Sequence, residues 1–518
     1  MRTINGVALG VVAVAAGSAW GTIISGSVSW TDTGGVTHGM RGVDVWVIEE
    51  NPMLGSSPIG FVSANDAGLY SATVFFRPGA TGYSVVPFAS NGSAFVSSDA
   101  TAANTYGAFS FFPGTLPFPG GSNVVTPVGA VSNNAFSILD AMYTGQYWGS
   151  HARSPAAPPL QIPVLYPRSV AGSRYVRPAS AGAGFPLGRL EIGPGHQNDW
   201  DVLEHEYSHY LENLDGLTAS PGGAHSSGVS SIPALGKNAG SRLAWGEGFA
   251  TWSGVASNNY DPAGQTMPLV PNTGDTIYTD TSGATAFSRN LETPNTANQG
   301  EGDEAAVYRI LWDLADPANE PHDRVSIGFT ELYGQIRAMS IPVVGGGPDR
   351  HPNTLADIWN HSVNLGTDIR TIVDYGAIFQ QYGVSPAPAF SDQVLIASDP
   401  APTFDWFAQN NGANEHFRLL FLDSTLDTVV WSKYVDSVTT YTLTPAEWLF
   451  FQDHPADYRL VIAGADLWVD GTMTPHPVGD ESGYYWSDAY GFEVLVPSPG
   501  ALGLGMLAAA CRVRRRRP

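Results

Sequence analysis

His205-Glu206-Tyr207-Ser208-His209 is the stretch on which the reading of this 518-residue chain turns. Around it Leu203, Tyr207, Tyr210, Leu211 and Leu214 recur three and four apart, so the sequence predicts an amphipathic helix over Asp199–Leu214. Asn198 is placed as its N-cap, with Asp201 at N3. Residues four apart on a helix lie one turn above each other on one face, so the imidazoles of His205 and His209 can both reach one ion. Glu206, beside the first histidine, is close enough to take a proton from water held there. Two surface histidines on an ordinary helix are the competing reading. The pattern would arise by chance in roughly one such sequence in a hundred, and its helical context makes accident rarer still.

A catalytic zinc needs a third protein ligand and an open position. No third histidine follows at the metzincin distance, where Asp215 is the nearest acid. Instead Trp245-Gly246-Glu247-Gly248-Phe249-Ala250 opens a second apolar helix, expected over Leu243–Ala256, with Glu247 in its first turn. A solvated acid at a helix N-terminus is the plain alternative for Glu247.

His-Glu-x-x-His followed by this glutamate resembles the gluzincins, the thermolysin-like clan of zinc metallopeptidases. Glu-Gly-Phe-Ala is similar to aminopeptidase-type members and Gly-Glu-Gly to fungalysins. The resemblance spans about 190–385 and is strong at the two motifs. It implies an α+β zincin domain in which His205, His209 and Glu247 hold Zn²⁺ and Glu206 is the general base, acting on a protein or peptide substrate. Two departures stand out. Between His209 and Glu247 lie 37 residues, more than in most of the clan, including a Gly-, Ser- and Ala-rich loop from Gly216 to Ser241 with His225 as a reserve ligand. Thr251 stands where many gluzincins carry an Asp that orients a zinc histidine, so a different acceptor is required.

Downstream, Asp303–Asp313 resembles the helix that follows the third ligand in fungalysins, without the histidine expected ahead of it. Tyr308, 61 residues after Glu247, is placed similarly to the catalytic tyrosine of aminopeptidase-type gluzincins, which makes it the candidate donor to the oxyanion. A tyrosine packed with Trp312 and without chemical part is the alternative. Upstream, Gly188–Ile192 reads either as the edge strand on which zincins lay an extended peptide or as a plain strand.

Outside this region the pattern changes. Ile24, Gly26, Val28 and Trp30 alternate with serines, and Val43, Val45 and Val47 alternate likewise, so 22–130 is read as a β-sandwich. Its run ending in Asp66-Ala67-Gly68-Leu69-Tyr70 resembles the carboxypeptidase-regulatory type. Residues 131–388 form the gluzincin-like domain, and 389–494 a second β-sandwich similar at its ends to fibronectin-type modules. The fold class expected is therefore multidomain, an α+β zincin domain flanked by two β-sandwiches.

The termini read as addresses. Arg2, the apolar run Val7–Ala16 and Ala19-Trp20-Gly21 make residues 1–21 a secretory signal peptide. In 495–518, Pro497-Ser498-Pro499, a short apolar stretch and Arg514–Arg517 resemble the PEP-CTERM sorting signals read by exosortase-type enzymes, with Ser498 in place of the usual Glu. Export to the cell surface or medium follows, with transient membrane contact through the tail. The lone cysteine, Cys511, leaves the body without disulfides. A formal charge of −23, with Lys237 and Lys433 the sole lysines, argues against nucleic-acid or anionic-membrane partners. The alternative function is a surface or matrix adhesion protein with a degenerate metallopeptidase core.

Overall fold

The computed structural model describes residues 21–99, 105–108, 110–113, 122–126, 130–169, 172–182, 184–220, 222, 237–260, 274–281, 286–293, 300, 302–317, 325–340, 351–355, 357–358, 369–384, 393–397, 400–406, 414–424, 428–436, 438–466, 484–486 and 490–495. Apart from Gly21 and Leu495, the segments read from the sequence as a signal peptide and a sorting tail lie outside the described residues, as does His225. Among the described residues no helix is long and apolar enough to cross a membrane. The chain divides into two compact units, residues 1–143 with 160–198, and residues 144–159 with 199–518.

The first unit runs through β1 (Thr22–Thr31), β2 (Thr37–Gly39), β3 (Asp44–Glu50), β4 (Ser57–Ser63), β5 (Leu69–Val74), β6 (Gly82–Phe88), β7 (Ala94–Ser97), β8 (Ser110–Pro113) and β9 (Ser122–Val125). The start of α1 (Ala130–Ala152) follows, then β10 (Ile162–Leu165), β11 (Arg174–Val176), α2 (Pro178–Ala181) and β12 (Arg189–Glu191). β1 lies antiparallel to β2 and β5 and parallel to β9, while β4-β3-β6-β8 form a second sheet. Period two decides which side chains go inward: Ile24, Val28 and Trp30 on β1 and Val45 and Val47 on β3 are buried. The two sheets touch at Gly60 of β4, where an added Cβ would lie 2.6 Å from the Val74 side chain. Trp30 Nε1 and Arg41 Nε both donate to Asp140, at 2.9 and 2.6 Å, which fixes α1 to β1.

A third sheet has the order β11-β12-β10-β7. β12 is antiparallel to β11 and parallel to β10, so the segment Gly188–Ile192 is an inner strand and not a free edge. Its ladder groups are taken on both sides, and β11 covers the flank that an extended peptide would need. Glu191 at its end is buried among Arg174, Arg189 and Arg168. Burial pushes its carboxyl up, and the arginines outweigh this and hold it below its ordinary value.

The second unit contains the end of α1, α3 (Trp200–Asp215), α4 (Lys237–Asn259), the hairpin β13 (Ile277–Asp280) and β14 (Phe287–Asn290), α5 (Glu304–Ala315), α6 (Phe329–Ala338) and α7 (Ile369–Gln381). Asp199, not Asn198, caps α3: its Oδ1 accepts from Val202 N at 3.4 Å. Gly216 ends the helix in the left-handed conformation at φ 70°, returning its N–H to Glu212 O. Asp215 at the last turn is taken by Arg153, Arg337 and Tyr333, at 2.8 to 3.0 Å, so it belongs to the scaffold. Aromatic edges fill the space behind, with Trp148 set perpendicular to Tyr333 and near-perpendicular to Trp252.

The chain then continues through β15 (Gln393–Ile396), β16 (Thr403–Asp405), β17 (Asn414–Leu422), β18 (Val429–Asp436), β19 (Thr440–Thr442), α8 (Pro445–Asp453), β20 (Asp457–Asp466), β21 (Tyr484–Trp486) and β22 (Tyr490–Leu495). Six of these strands form one sheet, β15-β22-β20-β17-β18 with β21 on β20, and β16 pairs with β19 as a separate ribbon. Phe404, Phe421, Phe451 and Phe492 share the core of this region. α8 begins at a capping box: Thr444 accepts from Glu447 N, and Glu447 accepts from Thr444 N. Phe451 carries the helix onto the sheet, its ring 4.7 Å from that of Phe421.

Candidate metal centre

Two helices meet at the site because one of them carries a glycine at the crossing. A Cβ built on Gly254 of α4 would come 2.9 Å from His205 N on α3, so any larger residue would push the helices apart. α4 begins at Lys237, six residues before the predicted start, so Glu247 lies in mid-helix and not in a first turn. A rigid interior position one turn from Thr251 aims both side chains at α3.

Glu247 Oε2 lies 3.3 Å from His205 Nε2 and 3.2 Å from His209 Nε2. One ligand atom from each of the three residues falls within 4.8 Å of the others. A tetrahedral ion with bonds of about 2.0 to 2.1 Å holds its ligand atoms about 3.3 Å apart, and both carboxylate–imidazole separations match that. The histidine rings stand 4.6 Å apart at 87°. The side chains of His205, His209 and Glu247 keep 11, 17 and 14% of their surface exposed.

Both remaining ring nitrogens are occupied. His209 Nδ1 is 2.9 Å from the buried Glu212 Oε2, and His205 Nδ1 is 3.1 Å from Thr251 Oγ1. Thr251, the departure noted in the sequence, is therefore itself the group that orients a histidine, and Glu212 orients the other. With Nδ1 tied down, each Nε2 is the atom left for a cation. Burial favours neutral His209, but Glu247 and Glu212 outweigh it and raise its pKa well above the ordinary value. Two imidazoles and one carboxylate, with both outer nitrogens held, fit a zinc ion.

Glu206 is buried on the same helix, next to His205. One neighbour was not anticipated: Tyr278 of β13, whose ring lies 5.7 Å from that of His205. Burial raises the Tyr278 hydroxyl well above its usual pKa, and Asp199, Asp280 and Glu206 add to this. The hairpin is fastened to the N-terminus of α3, with Thr279 N donating to Asp201 Oδ2 at 2.8 Å and Thr281 N to Asp199 Oδ2 at 2.6 Å. Asn258 of α4 donates to Asp201 Oδ1 at 3.2 Å, tying the second helix to the same point. The acids ahead of the motif thus hold Tyr278 beside the histidines. Ile277-Tyr278-Thr279-Asp280 has β-prone residues but is too short for alternation to show.

Tyr308 is on α5, as the sequence placed that helix. Val307 fills the notch at Gly248, the residue after Glu247, where an added Cβ would sit 2.5 Å from it. The Tyr308 hydroxyl is buried without a hydrogen-bond partner among the described residues. Burial pushes it to about 12, against the opposing pull of Arg309 and Arg289. The Trp312 indole donates to Glu292 at 2.6 Å, and its ring packs on Phe329.

No family model matches the chain, and no curated protein matches it. A solved structure, the 9R-lipoxygenase from Cyanothece PCC8801, aligns over 44% of this chain and 49% of its own at 6% identity. The alignment thus spans about half the length of that protein, and its TM-score of 0.14 is too low to carry any argument about fold or activity.

Proposed function

We propose that this chain is an exported zinc-dependent peptidase of the gluzincin type, an α+β zincin domain between two β-sandwich domains, acting on protein or peptide substrates. The observation that carries this reading is the convergence of His205, His209 and Glu247, with Glu247 Oε2 3.3 and 3.2 Å from the two Nε2 atoms and one ligand atom of each residue within 4.8 Å of the others. His205, His209 and Glu247 would hold the zinc, with Thr251 and Glu212 keeping the two imidazoles in orientation. Zinc bound there supplies Lewis acidity, making water acidic enough to lose a proton near neutral pH and polarising a carbonyl. Glu206 takes the proton of the attacking water and later gives it to the leaving amine. A tyrosine hydroxyl completes the stabilisation of the developing oxyanion. Tyr308 is the donor that the family resemblance implies, and Tyr278 is the one packed against a ligand histidine. Export, with an exosortase-type enzyme as a partner and transient membrane contact at the tail, rests on the sequence of residues 1–21 and 495–518.

Glu206→Gln tests the proposal. The variant should keep its zinc and lose on the order of 10²-fold or more of casein hydrolysis. Near-normal turnover with zinc retained would sink the mechanism.

A further inference from the structure

The outward face of the β4-β3-β6-β8 sheet breaks the usual pattern, in which an antiparallel sheet covered on one side turns polar residues to water on the other. Trp46 faces Phe61 across β3 and β4, and Asp44 faces Phe88 across β3 and β6. Period two puts these four opposite the buried Val45 and Val47. Trp46 is 36% exposed and Phe61 57%. An apolar aromatic cluster left in water marks a binding surface.

With Phe95 and Gln161 these residues line a cavity of about 340 Å³. Its rings are not laid flat. Trp46 meets Phe61 at 76° and Phe88 at 82°, with centroids 5.6 and 6.4 Å away. Rings at near right angles make walls around a guest, whereas a sugar ring stacks on one open face. At the edge, Asp44 accepts from Ser90 Oγ at 2.9 Å and Ser63 Oγ at 3.2 Å, and among the described residues no basic side chain pairs with it. Burial raises its carboxyl above the ordinary range, and the two hydroxyls offset this only in part. A carboxylate so placed gains from a positive guest and repels an anion.

We propose that this cavity binds a small quaternary ammonium ion. Aromatic faces attract a cation through their quadrupoles, and Trp46 is the strongest such surface. A methylated ammonium gives up its hydration more readily than a primary amine and also covers apolar wall. The carboxylate of Asp44 supplies the counter-charge, within a chain whose formal charge is −23. The volume takes the whole of an ion the size of choline.

The test is isothermal titration of the full chain with choline, with its neutral isostere 3,3-dimethyl-1-butanol, and with methyl glucoside. Choline should bind roughly tenfold or more tightly than the isostere. Trp46→Ala and the shape-preserving Asp44→Asn should each weaken choline by roughly tenfold. Thermal melting of both variants separates lost binding from lost folding, and Asp44→Asn carries the test alone if Trp46→Ala does not fold. Absence of choline binding, equal affinity for choline and the isostere, unchanged affinity in a folded variant, or Trp46-dependent binding of methyl glucoside in place of choline would each overturn the proposal.

Discussion

Removing the charge on Glu212 should loosen zinc more than removing the hydroxyl of Thr251, although neither residue is a ligand. Glu212→Gln keeps the size of the side chain and an acceptor oxygen, and it discards the carboxylate that lies 2.9 Å from His209 Nδ1. That carboxylate is fully buried, so solvent does not screen the contact. Outer partners of zinc histidines carry about 10- to 100-fold in metal affinity, or about 1.4 to 2.8 kcal/mol. Thr251 offers His205 a neutral partner at 3.1 Å, worth about 0.5 to 1.5 kcal/mol, so Thr251→Val should cost roughly 2- to 12-fold. Competition with a chromogenic chelator at fixed pH gives both dissociation constants. If Thr251→Val weakened zinc more than Glu212→Gln, or if neither changed it, the assignment of these residues as the orienting pair would fail.

Two further outcomes are expected. Tyr278→Phe should lower kcat by roughly 10- to 10³-fold at unchanged zinc content, while Tyr308→Phe leaves kcat within about twofold and does not lower thermal stability. The opposite pattern would assign the oxyanion donor to Tyr308. In the C-terminal region, burial alone would raise Glu447, but Thr444, Tyr441 and Lys433 donate to it and bring its pKa to about 2. Its folded value lies below that of an unfolded glutamate, roughly 4.3, so its stabilisation is complete above that pH and is lost as pH falls toward about 2. Acid unfolding followed by circular dichroism should show Glu447→Gln shedding part of its pH dependence in that window, and an identical acid limb in wild type and variant would refute the linkage.

What could be read in the sequence was what a single helix encodes. His205 and His209 are one turn apart, and the spacing alone puts them together. Glu247 is marked by its motif, but its mid-helix position does not show because Gly240 and Ser241 weaken the signal of the turns before it. Thr251 shows in the sequence only as a departure from the family's Asp, because its hydroxyl meets His205 only through the crossing of α3 and α4. Tyr278 could not be placed, since it reaches His205 across 73 positions through a hairpin fastened by Asp199 and Asp201. The inner position of β12 depends on strands whose pairing leaves no mark within Gly188–Ile192 itself. α8 carries its own helix-start signal, Thr444-Pro445-Ala446-Glu447, set within a stretch of β alternation.

The central claim is that His205, His209 and Glu247 hold one zinc ion, and metal analysis of the purified chain beside its His209→Ala variant tests it most directly. The wild-type chain should carry close to one zinc, and His209→Ala, which removes one of the three ligand atoms gathered at the site, should largely lose it. Equal zinc content in the two proteins, or none in the wild type after growth and purification with zinc present, would contradict the account.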